Sequence, residues 1–148
     1  MSGENDLIKL YSSQILQLAS AIPHTERLHA PDATVKKRSP LCGSAVTVDV
    51  KVEDGRIIEF GQDVKACALG QAAASVVGAH AIGQTRSTIE AVRDALQAML
   101  KKGGPTPPEP FARLEVLRPA HEYKNRHASI LLAIEAAAEA MEQAEQTK

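Results

Sequence analysis

The stretch SAVTVDVKVEDGRIIEF, Ser44 to Phe60, decides the fold. Val46, Val48, Val50 and Val52 alternate with Ala45, Thr47, Asp49 and Lys51. A period of two puts four β-branched side chains on one face of a strand and a mostly polar set on the other. Glu53-Asp54-Gly55-Arg56 follows, and Asp-Gly tolerates the positive φ of a tight hairpin turn. The chain returns with Ile58, Phe60, Val64 and Ala66 in one phase. Ile57 and Gln62 break that alternation, and Gly61 suggests a bulge.

Two cysteines flank this hairpin. Cys42 precedes its first strand and Cys67 follows its second. A two-residue loop pairs Glu53 with Arg56 and, continued, Cys42 with Cys67, but it sets the valines against the polar set. A three-residue loop with a glycine bulge matches the apolar faces and sets Cys42 opposite Ala66. A bulge near Gly61 returns the cysteine end to the first register. Each version leaves the two thiols within about one residue of each other across the ladder, on the order of 5–8 Å between Cβ atoms. Gly43 gives the Cys42 loop backbone freedom. Cys67 falls at or near a helix start, where free amides and the dipole favour a thiolate. On spacing alone two readings stand: a reactive or metal-binding pair, and inert thiols filling a core.

Outward from the hairpin the periodicity is helical, apart from a short extended run over 34–38. Asp6 to Ala21 carries Leu7, Leu10, Tyr11, Ile15 and Leu18 on one side, with Asp6 as a favourable cap. Leu69 to Ile82 is rich in Ala, Gly and Ser, so it can pack very close to a neighbour. Ser87-Thr88-Ile89-Glu90 has the form of a capping box. The helix behind it buries Ile89, Val92, Leu96 and Met99, and Gly103-Gly104 stop it. Gly103 to Pro110 is a proline-rich loop, Phe111 to Leu117 a short helix. Asn125 to about Glu142 is a last helix buried along Ile130, Leu131, Ile134, Ala138 and Met141. The expectation is an α+β fold: an N-terminal helix, a three-stranded antiparallel sheet (about 34–38, 44–53 and 56–66), then several helices on one face of the sheet.

Composition narrows the function classes. The chain has 148 residues, a net charge of -1, 44% hydrophobic residues and 3% aromatics, so its core rests on aliphatic side chains. The length fits one domain spanning 1–148, with 103–122 as an insertion and 143–148 as a frayed tail. The near-neutral balance gives no general attraction to nucleic acid or to a membrane surface. No apolar stretch is long enough to cross a bilayer. The polar N-terminus does not read as a secretory signal, so the expected location is the cytoplasm. No phosphate loop, nucleophile elbow or paired-carboxylate site is present, so no catalytic residue is assigned and an enzyme is not expected.

The motifs in order resemble a known family. Pro40-Leu41-Cys42-Gly43 looks like the Pro-x-Cys-Gly-Asp loop of the iron–sulfur cluster assembly scaffolds of the IscU/SufU/NifU type. Ala66-Cys67 and the Ala/Ser-rich helix resemble their Gly-Cys-x-x-x-x-Ala-Ser segment, and Gly83-Gln84-Thr85 their Gly-Lys-Thr. The segment from Gly103 to His121 resembles the SufU-type branch. The resemblance implies a scaffold that receives sulfur from a cysteine desulfurase, binds iron, a nascent iron–sulfur cluster or zinc, and serves recipient proteins. Its ligands are three cysteines and an aspartate, or in one branch also a histidine.

Carried over residue by residue, Cys42 and Cys67 match two of the cysteines. Ser44 stands where the family has its aspartate, and Ser129 where it has its third cysteine, the usual sulfur acceptor. Serine is a poor metal ligand beside thiolate or carboxylate. His127 is a candidate replacement ligand, although positions i and i+2 on a helix point about 200° apart. Arg126 resembles the family's arginine near the site, and Gly43 supports the loop. The expectation is therefore a degenerate scaffold-like protein, a monomer or weak homodimer, binding iron, a labile cluster or zinc through Cys42 and Cys67. Two alternatives accompany it: a sulfur-accepting accessory of a desulfurase, with either Cys42 or Cys67 as a non-turnover acceptor, and a metal-free regulatory paralogue.

Overall fold

A computed structural model describes residues 12–40 and 43–146. The expected cap at Asp6 and the stripe positions Leu7, Leu10 and Tyr11 lie outside the described residues, as does Cys42. Three antiparallel strands form one sheet in the order β1 (Ala33–Ser39), β2 (Ser44–Glu53), β3 (Arg56–Lys65). Helix α1 (Ser13–Ala19) precedes them. Helices α2 (Ala68–His80) and α3 (Arg86–Lys102), a 3-10 helix (Ala112–Glu122) and α4 (Lys124–Gln146) follow. The α+β architecture thus stands as the alternation and the helical periods imply.

The valine face of β2 is the centre of the core. Val46, Val48 and Val50 are 1%, 0% and 0% exposed, at the level where each such side chain contributes about 1.5–3 kcal/mol of burial. Helix α4 lies across β1 and β2 on this face. Its expected stripe is buried throughout, and its small residues Ala133, Ala137 and Ala138 allow close approach. Lys37 on β1 pairs with Glu139 of α4 at 3.1 Å, which fixes the helix over the strand. The helix also continues through the stretch expected to fray, as far as Gln146, because Ala144 is still buried against the core.

The register differs from all three versions drawn from the sequence. The hairpin turn does pair Glu53 with Arg56 and Val52 with Ile57. The next pair is Lys51 with Glu59, so the extra residue is Ile58 on the returning strand. This bulge puts Ile57 on the core side at 1% exposure and turns Ile58 out to 37%. Beyond it Val50, Val48 and Val46 face Phe60, Gln62 and Val64. Gly61 is not the bulge. A Cβ there would collide with the backbone carbonyl of Glu26, so glycine is required by a close crossing of chain. Gln62 breaks the alternation because its buried amide donates to the carbonyls of Ala74 (3.0 Å) and Pro23 (3.2 Å), bridging the sheet to α2.

The polar face of β2 is not left to solvent. The segment 20–32 crosses it, tied by Asp49, which is fully buried. The Asp49 carboxylate accepts Arg27 Nε at 2.6 Å and Nη2 at 3.1 Å, the Leu28 amide at 3.0 Å and Thr34 Oγ1 at 2.6 Å. Burial pushes this carboxyl up, and the bonds from Arg27, Thr34 and Leu28 outweigh it, so its pKa lies below the usual carboxylate range.

The expected capping box at Ser87 is displaced. Thr85 is the N-cap of α3, accepting from the Thr88 amide at 3.3 Å, and Glu90 pairs with Arg86 at 2.8 Å. Gly103, at φ 65°, ends α3 in the left-handed conformation that glycine adopts at no steric cost. The short helix expected from Phe111 is a longer 3-10 helix that buries Leu114, Leu117 and Ala120.

Candidate functional site

Cys67 ends the hairpin and begins α2. It is the N-cap residue, with extended backbone (φ -67°, ψ 170°), and it is half-buried. Its Sγ closes no capping hydrogen bond, but the first amides of α2 face it. Burial pushes the thiol up. Against that act the Gly70 amide, the Ser129 hydroxyl, the Leu69 amide and Arg126, in that order, and the net direction is below the ordinary thiol value. More of the nucleophilic thiolate is therefore present near neutral pH than in a free cysteine.

Ser129 comes from α4, and its Oγ lies 3.6 Å from Cys67 Sγ. On its other side it meets Ser44, the first residue of β2, with the two hydroxyl oxygens 3.0 Å apart. Ser44 and Ser129 are 4% and 1% exposed, so this is a buried polar contact at the end of the sheet. Gly70 makes room for it: a Cβ on Gly70 would stand 2.8 Å from Ser129 Oγ. Three of the positions the motifs single out, Ser44, Cys67 and Ser129, thus converge from β2, α2 and α4. Arg126, half-buried, adds a side-chain hydrogen bond to Cys67.

Gly43 adopts φ +68° in the turn between β1 and β2, and its amide donates to the Ser39 carbonyl at 2.9 Å. Continuing the ladder by two positions past Ala45 and Lys65 sets Gly43 level with Cys67. Cys42 itself lies outside the described residues.

His127 does not join the group. Its Nε2–H donates to the Ala120 carbonyl at 2.9 Å and approaches that of His121 at 3.2 Å. The imidazole ties α4 to the 3-10 helix and lines a cavity of about 490 Å³ with Lys101, Lys124, Leu131 and Glu135. The physical reason is the i, i+2 spacing: Ser129 faces the sheet, so His127 faces away from it. Among the described residues no three His, Cys, Asp or Glu side chains gather as a metal site, and a zinc centre finds no support.

Comparison with known proteins decides the family. A profile of the NifU-like N terminal domain matches residues 10–143. The chain belongs to that family. The crystal structure of a nitrogen-fixing NifU-like protein (N-terminal) from Brucella abortus is 41% identical to this NifU-like chain. The match covers 97% of this chain and 99% of that one, with a TM-score of 0.94. A putative iron–sulfur cluster assembly scaffold protein for the SUF system from Fervidobacterium islandicum AW-1 shares the fold at 18% identity. It covers 90% of this chain and 98% of that chain, with a TM-score of 0.81. No curated protein matches the chain. In this NifU-like domain no helix among the described residues is long and apolar enough to cross a membrane.

Sequence reasoning missed Ser39 and Gly70. Ser39 is 1% exposed, with a hydroxyl that has no hydrogen-bond partner among the described residues. The signal for Gly70 was available: a glycine in the first turn of a helix is unfavourable unless something must come close.

Proposed function

We propose that this chain serves iron–sulfur cluster assembly as a scaffold-type protein that carries sulfur, and iron or a labile cluster as cargo, on Cys42 and Cys67. One observation carries the reading: the Cys67 thiol stands at a helix N-terminus, 3.6 Å from the Ser129 hydroxyl, which in turn meets Ser44, the two serines that the resemblance matches to ligand positions. The partners on this reading are a cysteine desulfurase and recipient proteins.

Sulfur transfer is the part of this role that the geometry supports best. A thiolate at Cys67 attacks the terminal sulfur of a partner's persulfide. A new S–S bond forms to Cys67, the partner's S–S bond breaks, and the electron pair leaves on the partner's thiolate. The sulfane sulfur keeps its proton, and no outside oxidant is needed. The first amides of α2 and Arg126 favour the anionic sulfur on this chain's side.

Cargo metal would be held weakly, because Ser44 and Ser129 satisfy each other and supply neither thiolate nor carboxylate. His127 is engaged elsewhere and is not offered as a ligand. Incubation with a cysteine desulfurase and cysteine, followed by intact mass, tests the sulfur role. One added sulfur, lost in Cys67→Ala, supports it, and no added sulfur on either cysteine removes it. Iron content after anaerobic purification tests the cargo role, which fails if wild type, Cys42→Ala and Cys67→Ala are alike. A double Cys→Ser variant that still binds the desulfurase with no sulfur or iron in the wild type would favour a metal-free regulatory role.

A further inference from the structure

We propose that the cavity along α4 at the C-terminal end of α3 binds a short peptide with both termini free, its ammonium on Glu135 and its carboxylate on Lys124 and Lys101. This site stands apart from Cys67 and does not rest on the sulfur-carrying reading.

The cavity measures about 490 Å³, within the span of small-ligand sites. Lys124, Ala128, Leu131 and Glu135 follow one another at i, i+4, i+7 and i+11, so they form one stripe of α4. Lys101 joins them from the last turn of α3. His127 is 5% exposed, and the carbonyls of Ala120 and His121 hold its Nε2, so the imidazole is a fixed wall. The middle of the stripe is apolar, with Leu131 and Ala128 between the charged ends.

Those ends differ in sign. Glu135 is half-buried, and its carboxylate makes no hydrogen bond or ion pair among the described residues. Burial pushes this carboxyl above its ordinary range, although Lys37, Arg93 and Lys101 pull it down, and Lys37 is already bonded to Glu139. A half-buried carboxylate without a partner is costly, and a guest ammonium supplies the partner. Lys101 and Lys124 likewise close no ion pair among the described residues. Lys124 opens α4, whose first amides add to the positive end of the cavity.

Spacing sets the ligand's length. Lys124 and Glu135 are eleven positions apart, about 16 Å along the helix axis. A free amino acid carries both charges on one carbon and is too short to meet both ends. Three extended residues span about 10–11 Å, and the lysine and glutamate side chains cover the rest.

The test is calorimetric titration of the full-length protein with the tripeptide Ala-Leu-Ala. Saturable binding is expected, weakened about fivefold when the peptide is N-acetylated or C-amidated, the scale of one partly exposed charge pair. Leucine alone should bind no better than the blocked forms. Glu135→Gln removes no hydrogen bond within the described protein, so its folding, checked by circular dichroism, should hold. It should bring Ala-Leu-Ala down to the level of its acetylated form and leave that form unchanged. Lys101→Met with Lys124→Met should do the same with respect to the amide. The proposal is overturned by no saturable binding at millimolar peptide, by blocked peptides or leucine binding as well as Ala-Leu-Ala, or by a Glu135→Gln variant that binds as the parent does. None of these outcomes bears on sulfur loading of Cys67.

Discussion

Ser44 and Ser129 stand 85 positions apart in the chain and share a buried hydrogen bond of 3.0 Å. On the proposed reading both stand where the scaffold pattern has metal ligands, and the two side chains meet in space. Restoring the ligand types should therefore restore metal. Ser44→Asp with Ser129→Cys is expected to raise iron retained after anaerobic purification well above wild type, by elemental analysis. Equal iron in both would mean that the serines do not limit binding.

Cys67 should react as a low-pKa thiol. Its pKa lies below the ordinary value, so the thiolate fraction grows at lower pH than in a free cysteine. In Cys42→Ala protein the iodoacetamide rate should rise with an inflection below that of an unperturbed thiol. Peptide thiol under the same conditions provides the comparison, and an inflection at or above the peptide's would refute the shift.

Gly70 is expected to tolerate no side chain. A Cβ there would lie 2.8 Å from Ser129 Oγ, 2.8 Å from the Ala66 Cβ and 3.1 Å from the Ser129 carbonyl oxygen. Gly70→Ala gains up to about 1 kcal/mol of helix propensity but forces α2 from α4, at a cost of about 1–3 kcal/mol. Denaturant melts should show a net loss. Cys67 alkylation should change with it, since the same clash moves Ser129.

Asp49→Asn should weaken the attachment of the segment 20–32. It removes the charge that Arg27 and Thr34 bind, and Arg27 is half-exposed, so water can recover part of the loss. A destabilisation of about 2–3 kcal/mol is expected. The sign of its pH dependence follows from a folded pKa below the unfolded one. The carboxylate's contribution is complete above the unfolded value of about 3.9 and is lost as pH falls through the folded value. Urea midpoints measured from neutral to acid pH should converge for wild type and variant at the acid end.

Much of the fold was legible because its signals were local. The valine alternation fixed β2 to the residue, and of the two loops open at Asp-Gly the two-residue one, pairing Glu53 with Arg56, is the one that forms. What failed was set by distant parts of the chain. Gly61 looked like a bulge but answers to the carbonyl of Glu26, and Asp49, read only as one of the polar set opposite the valines, is buried under the segment 20–32. The cap of α3 fell to Thr85 rather than Ser87, as three hydroxyls close together left the local signal ambiguous. At the site, the positions of Cys67 and Ser129 followed from the motifs, and His127 was already the weaker candidate from its helical spacing. Ser39 and its orphan hydroxyl could not be seen, because burial and pairing are properties of the assembled core.

The inserted residue at Ile58 has a reach far beyond the hairpin tip. Every cross-strand neighbour from Lys51 to Ala45 is displaced by one step because of it. Removing that single residue would slide the whole return strand like a misthreaded zip and carry the sulfur of Cys67 out of line with Ser129. The alignment of side chains at one end of the sheet is thus set by a spacer at the other, and insertions or deletions near the turn would shift it without touching any of those side chains.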